Sequence, residues 1–108
     1  MDTDKEMAEY IYSILLLQPS IIMSWGFYSP KIIKQGLTFC VNGFKHKGRV
    51  NIIYNECQDL FDILLFDENE KLVDTINMVY VDQLVEIIDN RVEKTDDYRD
   101  RVNREYFK

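Results

Sequence analysis

His46, the only histidine, lies in Gly43-Phe44-Lys45-His46-Lys47-Gly48-Arg49-Val50, the most basic stretch of an acidic chain. Three chemistries come into question there. A general base needs a partner group beside it in a cleft, and two flanking lysines offer none. A zinc site needs further Cys or His at set spacings, but Cys40 and Cys57, the only cysteines, form no Cys-x-x-Cys pair. A phosphate-binding tip is the one role these residue types allow. Lys45, His46, Lys47 and Arg49 would meet phosphates, with Lys31 and Lys34 as further cations and Trp25, Phe27, Phe39 and Phe44 as stacking faces. The plainer reading is a hairpin turn kept in water by its charges.

The carboxylates carry no clearer signal. Asp67-Glu68-Asn69-Glu70-Lys71 begins like a calcium loop, but a lysine stands at the third ligand position and the required glycine is missing. Asp96, Asp97 and Asp100 alternate with arginines, as on a salt-bridged helix face. The four glycines, at 26, 36, 43 and 48, build neither a phosphate-binding loop nor a dinucleotide fingerprint, and no Gly-x-Ser-x-Gly occurs. We therefore assign no catalytic, cofactor-binding or metal-binding residue and expect a protein without enzymatic activity or cofactor.

Charge is distributed unevenly over the 108 residues, whose formal net charge is −6. Residues 1–9 hold four acids and one lysine; residues 10–55 hold five bases and no acid; residues 56–108 hold fifteen acids and seven bases. Such an asymmetry makes a two-sided field, and an acidic C-terminal half can imitate nucleic-acid phosphates toward a basic partner. Two unpaired thiols suit a reducing cytoplasm. Residues 10–30 are uncharged, but Gln18, Pro19 and Ser20 interrupt them, so a buried helix and strand are expected rather than a membrane span.

The elements that must position these residues follow from periodicity. Thr3-Asp4-Lys5-Glu6 fits a capping box, and Met7, Ile11, Ile14 and Leu15 follow at helical spacing until Pro19. Residues 21–27 fit either a short strand or more helix, and Tyr28-Ser29-Pro30 reads as a turn. From Leu37 the period becomes two. A four-residue loop at Lys45–Gly48 would bring Phe39 opposite Tyr54, Val41 opposite Ile52 and Asn42 opposite Asn51. A second hairpin turns at Asp67–Glu70, facing Leu65 with Leu72 and Phe61 with Ile76 but Ile63 with Asp74. Val81, Leu84, Val85, Ile88 and Val92 mark a second amphipathic helix, after which Asp97–Arg101 and Asp100–Arg104 pair at i, i+4. Residues 81–107 fit one helix or two.

The expected fold is α+β in two layers: an N-terminal helix, a four-stranded antiparallel β-meander, and one or two C-terminal helices on one sheet face. Residues 1–94 make a single domain and 95–108 its charged helical extension. Phe39, Val41, Ile52, Tyr54, Phe61, Ile63, Val85 and Ile88 should form the core. The opposite sheet face, with Thr38, Cys40, Asn42, Asn51 and Ile53, should stay partly wet. By elimination the leading expectation is a small protein–protein interaction module, an adaptor or regulator with another protein or a second copy (a homodimer) as partner. Tyr98, Tyr106 and Phe107 on the charged tail join the basic tip as candidate contacts. The alternative is a charge-based regulator of nucleic-acid machinery, as acidic mimic or through Lys45–Arg49; no membrane partner is expected.

Overall fold

A computed structural model describes residues 3–93 of the chain. Helix α1 (Thr3–Leu15) leads through a short α2 (Pro19–Ser24) to five strands: β1 (Tyr28–Ile33), β2 (Gly36–Asn42), β3 (Lys47–Asn55), β4 (Leu60–Phe66) and β5 (Leu72–Val79). A 3-10 turn (Val81–Gln83) then opens helix α3 (Leu84–Val92). All neighbouring strands are antiparallel and the sheet order is the chain order, β1 to β5. The α+β meander is as expected, with five strands rather than four. The proposed C-terminal extension, 95–108, lies outside the described residues.

One sheet face is covered. Leu37, Phe39 and Val41 of β2, Val50 and Ile52 of β3, and Phe61, Ile63 and Leu65 of β4 alternate into a buried cluster. Ala8, Ile11 and Leu15 close it from α1, Leu84, Val85, Ile88 and Val92 from α3. Alternation puts every second strand residue on this face, and the 3.6-residue period gives each helix one matching stripe. Trp25, fully buried at the end of α2, stacks on Phe39 at 6.3 Å and donates its indole N–H to Asp89 Oδ1 of α3 at 3.0 Å. That bond satisfies the one polar atom of the ring and ties α2 to α3. Tyr54, expected in the core, is half-buried at its margin.

The other face is open and partly wet. Asn51, Ile53, Leu64 and Phe66 are half-buried there, and Asn42 is exposed. Thr38 is the exception, buried with its hydroxyl donating to Asn51 Oδ1 at 2.5 Å.

The registers differ from those expected in an instructive way. Phe39 faces Val50 instead of Tyr54, and Val41 faces Gly48 instead of Ile52, a slide of four residues. Four is even, so each apolar side chain keeps its face and the alternating pattern fits both registers equally. In the second hairpin, irregularities between Leu65 and Phe66 and between Phe61 and Ile63 bring Ile63 opposite Ile76 and leave Asp74 opposite Leu65. Tyr28-Ser29-Pro30 is no turn: it starts β1, where Ser29 takes a φ of 58° and the pairing slips between Tyr28 and Lys31.

Candidate interaction surface

The slide of β2 against β3 moves the hairpin loop to Gly43–His46, closed by the Gly43 N–H donating to the His46 carbonyl at 3.0 Å. This loop does not stand free in water; it lies against the C-terminus of α3. The N–H groups of Lys45 and His46 donate to the Val92 carbonyl at 2.7 and 3.3 Å, and the Phe44 N–H donates to Glu93 Oε2 at 2.7 Å. Lys45 Nζ donates to the Asn90 carbonyl at 2.5 Å. The last carbonyls of a helix lack intrahelical partners and carry partial negative charge, so a cationic tip with inward N–H groups caps them. Gly43 permits the contact: a Cβ there would stand 2.4 Å from Val92 Cγ1 and 2.5 Å from the Val92 carbonyl oxygen.

Of the four predicted tip residues, two thus serve internal electrostatics. Lys45 caps α3, and Arg49 Nη2 meets Glu70 Oε1 at 3.0 Å across the sheet end. Lys47 is exposed. His46 is half-buried, with its Nε2 buried and unpartnered, in contrast to the solvated ring expected. The acidic turn Asp67–Asn69 stands opposite, forming with Phe44 and Lys47 the walls of a groove of about 490 Å³. Basic tip and acidic turn therefore share one end of the sheet and reduce each other's field. Tyr98, Tyr106 and Phe107 lie outside the described residues.

The two sheet edges differ in how they are guarded. The β1 edge carries Pro30, Lys31 and the kink at Ser29, three devices that discourage further pairing. The β5 edge has neither proline nor lysine, its only left-handed residue is Met78 near the C-terminal end (φ 61°), and Leu72, Val73 and Met78 stay 50%, 54% and 57% exposed along it. Its one charge, Asp74, is engaged by Arg91 Nη1 of α3 at 3.1 Å. The irregular pairs fall toward the strand's two ends, leaving Asp74–Ile76 regularly paired to β4. Sequence reasoning treated β5 only as the return arm of a hairpin. Its available signal was two apolar neighbours at each end, Leu72-Val73 and Met78-Val79, more than a one-faced strand requires.

At the opposite sheet end, Tyr10 (α1), Tyr54 (β3) and Tyr80 (after β5) line a cleft of about 730 Å³ with Asp59 and Asp82. The Tyr54 hydroxyl donates to Asp59 Oδ1 at 2.5 Å, and its ring lies 5.4 Å from that of Phe61. The bond to the Asp59 carboxylate holds the Tyr54 phenol above its usual range, reinforced by desolvation and by the charges of Asp59 and Glu56.

Among the described residues no three His, Cys, Asp or Glu side chains are grouped to hold a metal ion. No helix among them is long and apolar enough to cross a membrane. No family model, curated protein or solved structure matches the chain.

Proposed function

We propose that the protein is a non-enzymatic interaction module that takes an extended segment of another protein along the outer edge of β5. The observation that supports this reading is the largely apolar outer margin of β5, which has neither proline nor lysine and a single charge already paired to Arg91, set against the proline- and lysine-bearing β1. An edge strand presents unpaired N–H and C=O groups, and an added strand satisfies them while apolar side chains supply specificity. The hairpin tip lends little to a nucleic-acid role, because Lys45 and Arg49 are held by α3 and Glu70.

The test is a double variant, Val73→Lys with Met78→Lys, placing two charges on the edge at exposed positions. Surface changes of this kind cost within about 0.5 kcal/mol each, so the fold should persist by circular dichroism. Captured from native extract, protein partners of the wild type should fall about tenfold with the variant, consistent with loss of roughly 1.4 kcal/mol of binding. Light scattering separates a second copy from a different protein as the occupant. An unchanged set of captured proteins, at unchanged yield, sinks the β5 reading.

A further inference from the structure

We infer that the cleft between α1, the β3–β4 turn and the start of the 3-10 helix is a binding site for an alkylated ammonium group, separate from the β5 edge. Three tyrosines from three distant stretches converge on it: Tyr10, Tyr54 and Tyr80. Tyr10 and Tyr80 are 47% and 59% exposed, while Tyr54 is half-buried with its ring against Phe61. Among the described residues, the only charged ones lining it are Asp59 and Asp82, with no lysine, arginine or histidine.

This combination selects a ligand class. Aromatic rings present negative faces that attract a cation held close above them, and nearby carboxylates add long-range attraction. A phosphate or carboxylate would meet repulsion from both aspartates. A neutral apolar ligand would desolvate them without compensation. A bare metal ion would need several oxygen ligands, yet Asp59 Oδ1 already accepts the Tyr54 hydroxyl. A cation bearing methyl or methylene groups satisfies both parts of the wall: its apolar surface lies on Tyr rings and Met7, and its charge faces the carboxylates. The Tyr54–Asp59 bond contributes by fixing the ring plane and orienting the carboxylate before any ligand arrives.

The experiment uses the full chain, ¹⁵N-labelled and titrated at constant ionic strength with choline, with trimethyl-lysine amide, and with 3,3-dimethylbutan-1-ol, the uncharged carbon isostere of choline. Both cations should shift amides around Tyr10, Tyr54, Asp59 and Asp82, and the isostere should bind at least about tenfold more weakly. Tyr80→Ala and Asp82→Asn, both at exposed positions, should each weaken choline binding about fivefold or more, with the remaining spectrum unchanged. Trimethyl-lysine amide binding well above choline would identify a modified protein side chain as the source, and equal binding a free small molecule. Equal response to choline and its neutral isostere, or no localised shift with either cation at ~100 mM, overturns the assignment.

Discussion

Replacing Gly43 with alanine puts a methyl group where no space exists. Its Cβ would lie 2.4 Å from Val92 Cγ1 and 2.5 Å from the Val92 carbonyl oxygen, and ordinary carbon contacts need roughly 3.5 Å. The hairpin tip must then lift by about 1 Å, because one of the two obstacles is helix backbone. From 2.7 Å, the Lys45 N–H to Val92 carbonyl bond would stretch beyond the usual limit of about 3.2 Å. The Phe44–Glu93 and Lys45–Asn90 bonds would weaken with it. A lost neutral bond costs about 1 kcal/mol and one to a charged group somewhat more, offset by water reaching these exposed groups. The sum is about 2–3 kcal/mol. Urea unfolding followed through Trp25, the only tryptophan and fully buried, reads it directly. The midpoint should fall by about 1–2 M at unchanged m. Hydrogen exchange supplies the local signature, with the Lys45 amide losing protection before the strand amides do. A loss below about 0.5 kcal/mol, or a larger one with Lys45 protection intact, would refute the idea that the tip caps α3.

Other outcomes follow from the same contacts. Lys45→Met keeps the apolar stem and removes the charge, so stability should drop by about 1 kcal/mol, read by the same urea titration. Trp25→Phe loses the bond to Asp89 and leaves a void beside Phe39; about 2–3 kcal/mol of destabilisation is expected in calorimetry. Tyr54 should titrate above the ordinary tyrosine range in absorbance at alkaline pH and return toward that range in Asp59→Asn. A phenol pKa raised by folding stabilises the native state below the ordinary tyrosine pKa. That contribution fades as pH climbs from there through the folded-state value, so wild-type stability should fall more steeply than that of Asp59→Asn in this window. Cys57, exposed in the β3–β4 turn, should react with a thiol reagent before half-buried Cys40.

Much of this architecture was legible because its signals are local. The α1 and α3 stripes and the alternation in β2 and β3 each repeat within a few residues, and buried Ile11, Leu15, Phe39, Ile52, Ile63, Val85 and Ile88 lie where periodicity puts them. β1 escaped detection because Pro30 sits inside it, tolerated only at an edge with an irregular pairing. The first hairpin's register was ambiguous by an even number, which no two-residue pattern resolves. Contact with α3 settles the loop, and that contact joins residues 45 and 92. The site divides the same way. Lys45, His46, Lys47 and Arg49 stand out as a basic run, but that Lys45 and Arg49 have internal partners depends on tertiary placement. Tyr10, Tyr54 and Tyr80 share no spacing that would announce a common cleft.

The order of the sheet also bears on how the chain is made. Every strand pairs with its neighbour in sequence, so each hairpin needs only a short loop closure and the sheet can zip from β1 to β5 as synthesis proceeds. Helix α3 comes last among the described elements, yet its Leu84, Val85, Ile88 and Val92 join the same core cluster and it receives the tip made almost fifty residues before. At about 5–20 residues per second, a nascent sheet without its lid persists for roughly a second or two. During that interval the same apolar face that will become the core is open to chaperones and to other nascent chains. Docking of α3 under the Gly43–His46 loop ends the exposure, making that clasp a late step in biogenesis.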